Sequence, residues 1–183
     1  KNHASLFLLC VAIMLASPGC SKTTGNKEET ATSENKEQPV SLKIAFGSCG
    51  NPYRPLPIFD RVVEHEPDLF IFLGDNIYGD TDDMKILRAK YQNLADQTSF
   101  QNLKEHADIL ATWDDHDYGR NDAGNEYPHK EASKQIFLEF FEEPEDSPRY
   151  QHAGIYHSVT RQVGEKTVQI ILLDGRSFRD SIP

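Results

Sequence analysis

The residues with the most chemistry to offer fall in short polar clusters behind apolar runs. Asp75 follows Gly74 on a tight strand exit, and a carboxylate fixed there can bridge two cations, one on each oxygen. Tyr78 lies three residues on, near enough for a phenolate to reach the same ion. Cys49 as a thiolate and Tyr78 as a phenolate would favour a trivalent or soft metal over Ca²⁺ or Mg²⁺, which prefer oxygen ligands. The carboxylates and the amide of Asn121 would suit a second, harder cation. In Asp114-Asp115-His116-Asp117 an imidazole stands between acids. His116 could protonate a leaving-group oxygen or stabilise developing charge. Each residue also has a plainer reading. An Asp after a strand is commonly a turn residue, Trp113 and Tyr78 are commonly packed aromatics, and a lone Cys is commonly a small buried apolar residue. Recurrence at successive strand ends tips the balance toward chemistry for Asp75 and for Asp115–His116.

The elements that must position these groups alternate. Leu42–Phe46 is a strand candidate ending in Gly47-Ser48-Cys49-Gly50. A short helix is expected from Pro57 to His65, with Pro57 in its first turn. Asp68–Leu73 is a continuous apolar run of the kind buried on both faces. Met84, Leu87, Tyr91 and Leu94 give helical spacing over 82–94, and a second helix is expected over 99–106. Asp108–Thr112 is a third strand, followed by a polar loop over 113–128. A helix over 130–141 and two strands, 155–163 and 167–173, complete the pattern, the last leading into Asp174-Gly175-Arg176. This alternation indicates a layered α/β domain. In open α/β sheets the strand ends face the ligand crevice, so four clusters are expected to converge on one site.

The chain has 183 residues, enough for one domain with a substantial core. It is 38% hydrophobic and 26% charged, with ten Phe and seven Tyr, as in a globular rather than a disordered protein. A formal charge of −10 argues against a nucleic-acid-binding surface. It leaves a phosphorylated substrate open, because bound cations reverse the local field. Leu6–Ala16 behind Lys1 has the length of a signal-peptide core and is too short to span a bilayer as a helix. Ser17-Pro18-Gly19-Cys20 resembles a lipoprotein cleavage site, so residues 1–20 are expected to be an export signal with Cys20 a candidate lipid anchor. Residues 21–40 are expected to be a solvated tether and 41–183 the folded part. The protein is accordingly expected in the periplasm or outside the cell, as a monomer, with that lipid as its candidate attachment to the membrane.

Taken in order, Gly47-Ser48-Cys49, Gly74-Asp75-Asn76-Ile77-Tyr78, Trp113 to Asp122 (WDDHDYGRND) and Leu173-Asp174-Gly175-Arg176-Ser177-Phe178-Arg179 resemble the PhoD-like alkaline phosphatases, a branch of the calcineurin-like metallophosphoesterases. The resemblance covers roughly residues 42–180. It implies a four-layer α/β/β/α fold and hydrolysis of phosphate mono- and diesters by metal-activated water. It also implies iron (Fe³⁺) held by Cys49, Asp75 and Tyr78, and calcium (Ca²⁺) held by Asp75 and Asn121. Asp115 and His116 stand where the wider superfamily has its Asn-His pair, which makes His116 a charge stabiliser or acid and Asp115 a further candidate ligand. Arg176 is expected near the phosphate.

The family's late Ser-Gly-Asp-x-His motif does not occur in this sequence. The expectation is therefore an N-terminal portion, incomplete at its C-terminus, of a metallophosphoesterase. The competing reading is an exported lipoprotein that binds a ligand or a structural calcium without catalysis. The 183-residue chain by itself is expected to bind metals weakly and to show little or no metal-dependent turnover of an aryl phosphate; robust turnover by the purified chain would contradict this.

Overall fold

The computed structural model of the protein describes residues 40–181. The expected signal (1–20) and nearly all of the tether (21–40) lie outside them. No helix among the described residues is long and apolar enough to cross a membrane.

Three strands form a parallel sheet in the order β1 (Ile44–Gly47), β2 (Leu69–Leu73), β3 (Asp108–Thr112). Parallel neighbours need crossovers. Here α1 (Ile58–Glu64) joins β1 to β2, while α2 (Met84–Ala95) and α3 (Thr98–His106) join β2 to β3. Residue pairs such as Phe46 with Ile71 and Ile71 with Leu110 fix the register. All three strands thus end on the same side. After β3 the chain makes a single helical turn, α4 (Asp115–Tyr118), then α5 (Lys130–Phe140), a 3₁₀ turn (Pro148–Tyr150) and an antiparallel hairpin of β4 (His157–Val163) and β5 (Lys166–Leu172).

The central strand, Leu-Phe-Ile-Phe-Leu, explains the layering. Successive side chains alternate between faces, and β2 is buried on both. Phe70 and Phe72 point into a core shared with Phe59 of α1, Leu87, Tyr91 and Leu94 of α2, Phe100 and Leu103 of α3, and Ile136 and Phe137 of α5. Leu69 and Ile71 point the other way, against Leu172 and Ile170 of β5, with Ile44 and Leu110 beside them. Among the described residues, helices pack on one face of the parallel sheet and the antiparallel hairpin on the other. Phe72 is an aromatic junction, with ring centroids 4.8 Å from Phe70, 5.8 Å from Phe100 and 5.6 Å from Phe141. Such edge-to-face and tilted contacts add to the area the ring buries.

Helix ends follow local chemistry. Asp83 caps α2 by accepting from the N–H groups of Lys85 and Ile86. Pro57 stands just before α1, where the absence of its N–H costs nothing. One expectation needs correction. The segment 113–128 is not wholly loop, since α4 occupies Asp115–Tyr118. The last two strands form a sheet of their own, as the turn between them suggests.

Truncating the junction ring leaves a cavity that a sheet and three helices cannot fill together. Phe72→Ala is expected to destabilise the fold by about 3–5 kcal/mol in denaturant unfolding.

Candidate metal centre

The three parallel strands deliver their exits side by side, and the backbone there is strained in a consistent way. Cys49 and Asp75 both have left-handed φ, 60° and 51°. That conformation disfavours most side chains and is tolerated best by Gly, Asn and Asp. Cys49 N–H donates to the carbonyl of Gly74 (3.2 Å) and Gly50 N–H to that of Asp75 (3.0 Å), so the first two exits are laced together. Gly74 has φ 108°, and a Cβ built there would stand 2.7 Å from the Asp114 Cβ and its backbone nitrogen. Only glycine lets the second and third exits approach so closely.

The result brings donors together. One ligand atom each from Asp75, Asp115 and His116 all lie within 4.8 Å of one another. Cys49 Sγ is 3.5 Å from Asp75 Oδ2, and the Tyr78 ring centroid is 4.5 Å from that of His116. The other carboxylate oxygen, Asp75 Oδ1, is buried with no hydrogen-bond partner. Buried polar atoms are normally satisfied, so an orphaned carboxylate oxygen beside a thiol, a phenol, an imidazole and a second carboxylate fits a cation. Protonation behaviour agrees. Burial pushes the Asp75 carboxyl up, only partly countered by the Cys49 thiol. Burial, then the negative charge of Cys49 and Asp75, pushes the Tyr78 phenol up. Both shifts favour the protonated forms, so a cation bound here would compete with protons for these groups.

Asp115 behaves differently. Burial opposes its charge, but the N–H of Asp122 (2.7 Å) and the nearby Arg176 guanidinium outweigh that and hold its carboxyl below the usual range. Arg176 Nε donates to Asp114 and Nη2 lies 3.5 Å from Asp115, while Nη1 is buried without a partner. His116 Nδ1 is 2.7 Å from Asp80 Oδ1. Burial alone would lower this imidazole, but Asp80, then Asp75 and Asp115, raise it above its ordinary 6.5.

Asp117 holds the arrangement from behind. It is fully buried. Its Oδ1 accepts from Asn76 N–H (2.9 Å) and Ile77 N–H (3.1 Å), and its Oδ2 from Asp114 N–H (3.1 Å). Burial dominates these bonds, and the carboxyl is pushed up to about 7. Asn76, also buried, donates to the carbonyl of Thr112 (3.0 Å). The fourth exit arrives from the other sheet. Thr112 Oγ1 donates to the Leu173 carbonyl (2.7 Å) and Trp113 Nε1 to Asp174 Oδ1 (2.9 Å). Asp174 also accepts from Ile155, Arg176 and Ser177 N–H groups, and this fixes where Arg176 can point.

The expected residues therefore separate into groups. Asp75, Asp115 and His116 converge, Cys49 and Tyr78 flank them, and Arg176 reaches the acidic turn. Asn121 sits exposed on the loop beyond α4, its amide donating to the Asp122 carboxylate (2.7 Å). Trp113 is core, against Tyr118 and Phe137. Cys49 is exposed rather than buried, so the plain apolar reading fails for it. Sequence reasoning missed Asp80, Asp117 and Asp174 as organisers. Asp117 takes the third position of a helical turn and reaches back to the N–H of the residue before it, half of a capping box. That signal could be read only by expecting a helix where the composition suggested a loop.

No family model and no curated protein matches the chain. Among solved structures, that of PhoD is similar, with a TM-score of 0.63 at 18% identity over 79% of this chain and 34% of that one. The fold is PhoD-like, a mixed α/β arrangement with a parallel sheet flanked by helices. The chain spans about a third of the length of that solved protein.

Because the raised imidazole value comes from its partners, the Asp80–His116 pair stabilises the fold fully below the ordinary imidazole range. The contribution is lost as pH rises through the raised value. In an NMR titration of the His116 ring, Asp80→Asn is expected to move the midpoint down, and an unmoved midpoint would show that Asp80 does not set the charge.

Proposed function

We propose that this chain carries the metal-binding strand exits of a phosphoesterase, and that the whole protein hydrolyses phosphate mono- or diesters. The observation that carries the reading is the partnerless buried oxygen of Asp75 within a cluster of thiol, phenol, imidazole and carboxylate. The PhoD-like fold supports it.

Cys49, Asp75 and Tyr78 would hold an iron ion, and Asp75 with Asn121 a calcium ion, with Asp115 a further candidate ligand. Bound there, the cations would neutralise phosphate oxygens and make water a stronger nucleophile. The remaining steps belong to side chains. His116, oriented through Nδ1 by Asp80, leaves Nε2 as the atom that can carry a proton to the leaving alcohol. Its raised affinity for protons suits the role of acid. Arg176, held by Asp114 and Asp115, has one unpartnered N–H bearing group, suited to a phosphate oxygen. We further propose that the protein is exported, acting at or outside the cell envelope and held there, if at all, through Cys20.

Asp75→Asn decides between this and the non-catalytic reading. Asparagine keeps the shape and tolerates left-handed φ but offers only one metal-binding oxygen. In the protein carrying the whole fold, the variant is expected to lose bound iron and phosphodiester hydrolysis together. Undiminished hydrolysis in Asp75→Asn would sink the metal-centred reading.

A further inference from the structure

The loop that carries Asp75 and Tyr78 lies outside any strand or helix, yet its backbone is held from two sides, by an acidic and a basic side chain. From below, Asp117 collects the N–H groups of Asn76 and Ile77. From α2, the Lys90 ammonium donates to the carbonyls of Tyr78 (3.1 Å) and Gly79 (2.6 Å). The Gly79 N–H donates to His116 carbonyl (2.9 Å), tying the same loop to the imidazole's own backbone. Thus the donors of residues 76 and 77 meet a buried carboxyl, the acceptors of 78 and 79 meet a cation, and the Gly79 N–H meets the backbone of α4.

We infer that Lys90 is a positioning residue for the candidate metal centre: by gripping the Tyr78 and Gly79 carbonyls opposite Asp117, it fixes the phenol of Tyr78 beside Asp75 and His116. Lys90 is half-buried and forms no salt bridge among the described residues, so its charge is directed at these two carbonyls. Tyr91, the next residue of α2, is wholly buried, which anchors the helix that carries Lys90 against the core. Residues of this second layer set how well a ligand group meets its cation without touching it. The inference rests on the metal reading above.

The test uses the protein carrying the whole fold and Co²⁺ as the probe, with affinity read by calorimetry and thermal stability by circular dichroism. Lys90→Ala, compatible with a helix, is expected to raise the Co²⁺ dissociation constant by about 10- to 100-fold while the protein remains folded at the temperature of titration. Lys90→Arg, which still offers paired donors, is expected to bind as the unaltered chain does. A purely structural lysine would lower the melting temperature in Lys90→Ala and leave the affinity of the folded protein alone, and that result overturns the inference. Equal losses in the Ala and Arg variants overturn it too, because the paired donors would then not matter. Should the Ala variant not fold, Lys90→Gln, which keeps the stem but only a neutral donor, is read against the same expectation. An unaltered chain that binds no Co²⁺ overturns the metal reading, and this inference with it.

Discussion

A carboxylate with no access to water, Asp117, receives three backbone N–H groups from two different strand exits. Its burial is unfavourable enough to lift its proton affinity to near neutrality, so the arrangement is sustained only because those N–H groups have no other acceptor. Orphaned backbone donors at this depth would each cost about 1–3 kcal/mol. The mutual need is what closes the second exit on the third. Gly74 lets the backbones approach, Asp117 makes the approach favourable, and Asp75 and Asp115 are brought face to face as a consequence.

Two carboxylates facing each other at this range repel, and the fold manages the repulsion unequally. Asp115 is given Arg176 and the N–H of Asp122, and it stays ionised. Asp75 is given a thiol and a partly desolvated pocket, and it resists ionisation. One side of the centre is neutralised by the protein and the other is left short of positive charge. That asymmetry, more than the count of acidic residues, marks where a cation would sit.

Much of the fold was legible because its elements obey strong periodic patterns. The continuous apolar run 69–73 could only be a doubly buried strand, and Leu87, Tyr91 and Leu94 face the core of α2 as their spacing requires. The register of polar clusters with strand ends was also legible, and the PhoD-like fold agrees with the motif order that suggested it. What could not be read was tertiary in origin. The pairing of His116 with Asp80 joins residues 36 apart in the chain, with nothing in their spacing to announce it. α4 hides because its residues, Asp-His-Asp-Tyr, look like loop. The hairpin's placement against the parallel sheet depends on packing of Leu172 against Leu69 and Ile71, a contact invisible to local pattern.

The hairpin has a consequence for the order in which the molecule takes shape. β4 and β5 are joined by a two-residue turn at Gly164-Glu165 and can pair within microseconds. The parallel strands must wait for helical crossovers, which slow the closure of distant contacts. The bond from Thr112 to Leu173 joins the late-forming sheet to the early hairpin, and only that joining brings Arg176 to the acidic turn. Arg176 thus reaches the acidic turn only where the two sheets meet, whereas Asp75, Asp115 and His116 are brought together by the exits of the parallel strands alone.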